Sequence, residues 1–587
     1  MSEEFDLIII NGLVYDGKGN PPYKASIAVK DGKIVKIGDI RRFEAKRVID
    51  AKGLAVSPGF IDIHSHGDET LFLYPTADSF VMQGITTIIG GNCGFTPAPL
   101  RDWWLLSFWE YDLWDELRPF KYYPEILIPL DEFKKKVKEV YGIDINWKSF
   151  NDYLKRIESI GISVNYAPLV GHNTIRAQVM GNDYKRKAKP EEIKEMKELV
   201  REAMEAGAHG LSTGLDYEPG AYADTEELIE LVKVVKEYGG IYSTHWRRTG
   251  IRKERVEFRP PEKIKGILEA IEIGKKTKVP VQISHIMSGY AIYPPPPPEL
   301  ATSAAKATIK VIDNARKEGI DITFDVIPNV DGGVFTFKYL AGLLAPWVRE
   351  LGSRENLAKA LKAKDFRDEV KQVILSGKWW YINPKVNPYW AEKVKILVCK
   401  NNSYVGKTLA EIASEKNQDP IDTLFDIIIE DPDTRVEYGS FIDESEVIEF
   451  IKHPYSMICT DTFALDFKWE IKKPPYFLPH PNTYAAFPRF IRRYVRELKV
   501  ITLEEAIKKI TFLPAQKLKL KGRGVIEVGA YADIVIFNPN EIAEGGDYLE
   551  PRKPPKGIHY VIVNGEIVVE KGKHTAKKPG KVIRRTR

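Results

Sequence analysis

Cysteine is scarce in this chain: Cys93, Cys399 and Cys459 are the only three in 587 residues. They give no disulfide framework, which points to a reducing compartment. No apolar run approaches the roughly 18 residues of a membrane span. The start, Met1-Ser2-Glu3-Glu4-Phe5-Asp6, is acidic and lacks the basic-then-apolar layout of a signal peptide, so the reading is cytoplasmic with no membrane partner. Charge of one sign is missing too. The net charge is +5 with both signs interspersed, which leaves no nucleic-acid footprint. The main basic cluster, Lys581 to Arg587, reads as a solvated end.

What is present is a set of metal-type donors, each closing an apolar run. Pro58-Gly59-Phe60-Ile61-Asp62-Ile63-His64-Ser65-His66 reads as a buried strand, whose period of two would put both imidazoles on one face. Ile85-Thr86-Thr87-Ile88-Ile89 precedes Gly90-Gly91-Asn92-Cys93-Gly94, Ile241 to Thr244 precedes His245, Val281 to Ser284 precedes His285, and Ser456 to Thr460 precedes Asp461. A metal that activates water needs ligands converging from several strand ends, with one coordination position left open. The repetition of the pattern carries the reading.

Each residue also has an ordinary explanation. A lone histidine at a strand end usually sits in a hydrogen-bonded core, a buried cysteine is usually a small hydrophobe, and an aspartate there can cap the next helix. Two histidines at i, i+2, followed by two more on later strands, outweigh these. His209, His453, His559 and His574 read as structural or exposed, His480 is undecided, and His172 follows another strand-like run as a pocket candidate.

These residues resemble the amidohydrolase superfamily and, within it, the N-acyl-D-amino-acid deacylases, or D-aminoacylases. The likeness runs along nearly the whole chain. It includes Pro58 to His66, Gly84 to Pro99, Val170-Gly171-His172 with Arg176, Met180 and Gly181, and Gly207 to Leu215. It continues through Thr244-His245-Trp246-Arg247, Ile283-Ser284-His285, Pro346-Trp347, Phe487-Pro488-Arg489 and Ala532-Asp533-Ile534-Val535. The resemblance implies a tight metal, normally zinc, on Cys93, His245 and His285, and a second, weaker site on His64, His66 and Asp461 with the Cys93 sulfur able to bridge. Asp461 would be general base and acid in hydrolysis of a linear, non-peptide amide. Relatives that bridge two metals with a carbamylated lysine place it on the fourth strand, where this chain reads His209-Gly210-Leu211-Ser212-Thr213-Gly214.

The chain departs from the family where the substrate carboxylate would be held. The family typically has a lysine two residues after the last metal histidine and an arginine in a His-Pro-Arg segment; here Met287 and Asn482 stand there. A carboxylate would lose its charge-assisted partners, so either Arg176, Arg247 or Arg248 replaces them, or the small-molecule substrate is neutral, esterified or cyclic. Trp103, Trp104, Phe108, Trp109, Tyr111, Trp114, Phe120, Tyr122 and Tyr123 form an aromatic stretch. It reads as a loop subdomain with its own core, a homo-oligomer contact, or an apolar wall over the site.

The expected fold is α/β: a (β/α)8 TIM-like barrel over 57–519, with insertions near 101–150 and 328–454, and a small β-sandwich built from 1–56 and 520–587. Asp31-Gly32 and Asn564-Gly565 are hairpin signals at the two ends. Barrel strands are expected to end near His66, Asn92, Val170, Thr213, His245, His285, Asp325 and Asp461, and barrel enzymes keep their chemistry at such ends. Pro294 to Pro298 reads as a stiff polyproline segment. Two other functions stay open: a cyclic amide or imide hydrolase, and a catalytically silent scaffold.

Overall fold

The structure is a computed structural model that describes residues 4–40, 44–107, 126–248, 263–290, 296–330, 335–336, 339–377, 382–385, 387–438, 442–467 and 478–586. At both ends, short β-branched runs separated by tight turns make hairpins. Tyr23–Lys30 pairs antiparallel with Lys33–Gly38, and Ile558–Val563 with Glu566–Glu570. Each turn has two left-handed residues, Asp31 and Gly32 at φ 50° and 74°, and Asn564 and Gly565 at φ 48° and 84°. Such turns match the twist of the strands they join. Ala55–Pro58 lies between Phe5–Val14 and Ile534–Phe537, so both termini build one nine-stranded sheet.

The middle of the chain is the barrel. Its strands are Phe60–Asp62, Ile85–Gly90, Asn165–Pro168 continued by Val170–Gly171, Gly210–Gly214, Ile241–His245, Val281–Ile283, Ile322–Val326 and Ser456–Ile458. All neighbouring pairs run parallel and every residue is buried, which explains their unbroken apolar character. Closure between the last and first strands comes just beyond their ends. The Asp461 amide donates to the His64 carbonyl at 3.0 Å, and the His66 amide to the Thr462 carbonyl at 2.8 Å. Some helices start on side-chain caps, as where Asp224 accepts from the Glu227 amide before Thr225–Glu237.

The long segment after the seventh strand has an apolar core of its own, centred on Leu343, Leu357, Trp390, Leu424 and Phe425. It returns to the barrel through the helix Glu444–Lys452. Of the aromatic stretch, Trp103 and Trp104 lie on a strand paired with Leu127–Pro129, and Trp104 stacks on Phe133 at 4.0 Å within the barrel's own core cluster. Phe108, Trp109, Tyr111, Trp114, Phe120, Tyr122 and Tyr123 lie outside the described residues. So do Pro294 and Pro295, while Pro298 opens the helix Pro298–Lys317. No described helix is long and apolar enough to cross a membrane.

One expectation is corrected here. The basic tail is not free in solvent: the Gly580 amide donates to Ile162, Tyr166 to Lys581, Ile583 to Tyr166 and Arg585 to Gly207. Arg584 pairs with Glu158 at 2.8 Å, and the His209 ring meets the Ile583 carbonyl. Charge pattern alone missed this because four of the contacts are made by backbone. Truncation after Pro579 is therefore expected to lower stability by on the order of 4 kcal/mol, at about 1 kcal/mol per backbone hydrogen bond lost. Thermal unfolding checks this, and an unchanged midpoint would return the tail to solvent.

Candidate metal centre

The site is organised around one sulfur. Beyond the second barrel strand the chain turns through Gly91, at φ 81°, and places Cys93 in a left-handed conformation, φ 50° and ψ 21°. Close packing holds this loop. A Cβ on Gly94 would lie 2.2 Å from Asn173 Oδ1, and one on Gly214 would lie 2.0 Å from the Cys93 carbonyl oxygen. Cys93 Sγ stands 3.4 Å from His64 Nε2, 3.5 Å from His285 Nε2 and 3.7 Å from His245 Nδ1. Asp461 Oδ1 is 3.2 Å from both His64 Nε2 and His66 Nε2.

His64, Cys93, His285 and Asp461 each offer one donor atom, all within 4.8 Å of one another, and all four residues are buried. Ligands at ~2.0 to 2.3 Å around a tetrahedral ion lie ~3.3 to 3.7 Å apart. The donor spacings fit that, and the N, S and O chemistry suits zinc. The grouping draws on members of both expected sites, with His245 beside the sulfur and His66 beside the carboxylate.

The route by which His64 and His66 arrive differs from the expected one. The strand stops at Asp62, and His64-Ser65-His66 is non-strand backbone, bent by the closure bonds to the segment after the eighth strand. The two imidazoles meet through Asp461 and not through a shared pleat face. Left-handed backbone recurs at the donors: His285 has φ 32° and Asp461 φ 55°. Such residues cost about 1 to 3 kcal/mol each. Hydrogen bonds hold them, the His285 amide donating to Asp325 Oδ1 at 2.6 Å.

Electrostatics reflect the crowding. Burial opposes a charged thiolate, yet the charge of His64 and hydrogen bonds from His245, His285 and His64 hold the Cys93 thiol well below its ordinary range. Burial likewise opposes the Asp461 carboxylate, but His64 and His66 hold it ionised. Asp62, which accepts from Thr460 and the His64 amide, is pushed up to about 7 by burial.

Three carboxylates that the sequence reading missed stand behind the imidazoles. Glu69 Oε1 is 2.7 Å from His66 Nδ1, Asp216 Oδ2 is 3.3 Å from His245 Nε2, and Asp325 Oδ1 is 3.7 Å from His64 Nδ1. Outer carboxylates of this kind orient metal-binding histidines. The available signal was position: Glu69 is three residues past His66, and Asp216 two past the fourth strand.

His245, His285 and Asp461 open on a cavity of about 170 Å³. Tyr217, Arg248, Asn329 and Glu446 are its other polar lining, and Met287, Ile327, Ile442, Val447 and Phe450 are part of its apolar wall. Other substrate-contact expectations need correction. His172 Nε2 is 2.8 Å and Arg176 Nη1 2.5 Å from the Glu227 carboxylate, an ion cluster in the core whose charge is already matched. Arg247 is turned away, bonded to Glu269 and to the carbonyls of Ala221 and Ala223. Asn482 is buried at the start of Asn482–Phe490 and, among the described residues, is not in the cavity wall. His480 is structural, accepting from the Asn482 amide and lying 3.3 Å from the Tyr548 hydroxyl.

Comparison with known proteins puts this geometry in context. The amidohydrolase family profile matches residues 47–238 and 476–569. D-aminoacylase of Alcaligenes xylosoxydans xylosoxydans is 30% identical over 100% of this chain and 99% of its own. N-acyl-D-glutamate deacylase of the same organism is 27% identical, over 100% and 98%. A crystal structure of D-aminoacylase superimposes with a TM-score of 0.68 at 30% identity, covering 99% of this chain and 100% of that one. N-acyl-D-glutamate deacylase from Bordetella bronchiseptica, solved with zinc and a phosphonate mimic of the tetrahedral intermediate, gives 0.68 at 26% identity, with the same coverage.

Two variants test the centre. Cys93→Ala is expected to lose most bound metal by elemental analysis, and full retention would remove the sulfur from the ligand set. Glu69→Gln should weaken metal affinity by about 10- to 100-fold, measured by competition with a chelator.

Proposed function

The chain belongs to the amidohydrolase family, and on that premise we propose that it is a metal-dependent hydrolase of a linear amide C–N bond outside the peptide backbone, of the D-aminoacylase type, with zinc at the Cys93-centred site. The observation that carries the reading is the convergence of donors from several strand ends on the Cys93 sulfur, with Asp461 facing the cavity. Cys93, His245 and His285 would hold the tight ion, leaving a position for water, and His64, His66 and Asp461 any second, weaker one.

Zinc held by these residues would lower the pKa of a coordinated water toward neutrality and polarise a carbonyl oxygen. The protein's residues do the rest. Asp461, kept ionised by the imidazoles beside it, takes the water's proton and returns it to the leaving nitrogen. Tyr217, whose ring lies 4.4 Å from that of His245, brings a phenol to the same wall as a donor for the oxygen that gains charge. Ile327, Ile442, Val447 and Phe450 give an apolar substituent a dry surface.

The relatives named above act on N-acyl-D-amino acids, so the D hand is the first to assay. Cyclic amides fit less well. The fourth strand, Gly210–Gly214, offers no lysine, and Thr213 fills that place by bonding Thr244 at 2.8 Å. The cysteine count supports a cytoplasmic setting. The zinc-loaded protein is expected to release amine from N-acetyl-D-amino acids and leave a hydantoin ring closed; the reverse outcome would favour the cyclic class. Asp461→Asn should reduce kcat by about 10²- to 10⁴-fold while keeping most of the metal, and near-normal turnover would take Asp461 out of catalysis.

A further inference from the structure

A carboxylate interrupts the apolar side of the cavity. Glu446 lines it together with Ile327, Ile442, Val447 and Phe450. It sits in the first turn of the helix Glu444–Lys452, four residues before Phe450, so the two side chains share a helix face. The other two glutamates of this helix are answered by cations: Glu444 pairs with Arg493 at 2.6 Å and Glu449 with Lys452 at 3.1 Å. Glu446 is not. Its Oε1 accepts from the Ser288 amide, which holds the head group in place. Among the described residues its Oε2 takes no hydrogen bond, and no cation stands within ion-pair distance of either oxygen. Arg248, on the same wall, is turned to Asp216 at 3.3 Å and to His245 Nε2 at 2.7 Å. Lys263 acts on Glu446 only at longer range, and burial pushes the Glu446 carboxyl above its ordinary range.

We propose that Glu446 determines specificity: its second oxygen takes the positively charged end of an aliphatic substituent whose stem lies on Ile442, Val447 and Phe450, so the favoured substrate carries a primary ammonium. This rests on the amide-hydrolase reading and names the substituent that the cleaved amide bears. The chemistry fits the wall. A long alkyl chain buries its methylenes on apolar side chains while its ammonium reaches a polar group. The ammonium brings three donors, one of which would make a charge-assisted bond to the oxygen that Ser288 leaves unused. An acidic substituent would meet a like charge instead and be rejected. A first-turn acid is favourable to the helix itself, but Glu444 already supplies one there.

The test uses two pairs of amides that differ by one terminal ammonium, one pair on each side of the scissile bond. They are Nα-acetyl-D-lysine with N-acetyl-D-norleucine, and 6-aminohexanoyl-D-leucine with hexanoyl-D-leucine. Calorimetric binding to zinc-loaded Asp461→Asn protein and kcat/KM of the zinc-loaded wild type are measured for all four. In one pair the ammonium compound is expected to be preferred by on the order of tenfold, and N-acetyl-D-glutamate is expected to bind more weakly than N-acetyl-D-norleucine. Glu446→Gln keeps an acceptor for the Ser288 amide and removes the charge, so it should bring the preference close to one at unchanged zinc content. Equal binding within both pairs, or a preference that Glu446→Gln leaves intact, overturns the assignment. Tighter binding of an ammonium compound with none of the four hydrolysed keeps the subsite and overturns the hydrolase reading instead.

Discussion

Buried imidazoles, a buried thiol and a buried carboxylate are tolerable together only if their charges answer one another, and the mouth of this barrel is built on that balance. Cys93 Sγ has three imidazole nitrogens within 3.7 Å, and Asp461 two at 3.2 Å. Desolvation alone would neutralise such groups. Mutual attraction keeps the sulfur and the carboxylate ionised instead. A cation at the centre would satisfy the same donors at lower cost, because a metal ligand is by nature a deprotonated one. Left-handed backbone at Cys93, His285 and Asp461 is what brings these donors together. It is held by packed glycines and by bonds to Asp325 and His64.

From this centre the surrounding arrangement follows. Glu69 and Asp216 sit within hydrogen-bond distance behind His66 and His245, which orients those rings before anything binds, and Asp325 lies 3.7 Å behind His64. Asp216 also touches Arg248, which links the inner donors to the cavity wall. In the proposed account, the apolar side chains of Val447 and Phe450 on the returning helix Glu444–Lys452 would hold part of the substrate.

The barrel was legible because parallel strands buried on both faces are continuous apolar runs, and hairpins at both ends carry Asp-Gly and Asn-Gly. The donors were legible one by one, since each closes such a run. Their geometry was not. His64 and His66 are two apart in sequence, but they share Asp461 through a bend that no strand period describes. Arg176 and Arg247 looked available because sequence cannot show Glu227 and Glu269 already beside them. The tail was misread because backbone pairing to Tyr166 and Gly207 leaves no mark in its charge pattern.

The central claim is that the Cys93 sulfur is bonded to the catalytic metal. X-ray absorption at the zinc edge of the loaded protein measures this directly. The account predicts a sulfur scatterer at about 2.3 Å beside nitrogen and oxygen at about 2.0 to 2.2 Å. A shell of nitrogen and oxygen alone would contradict it.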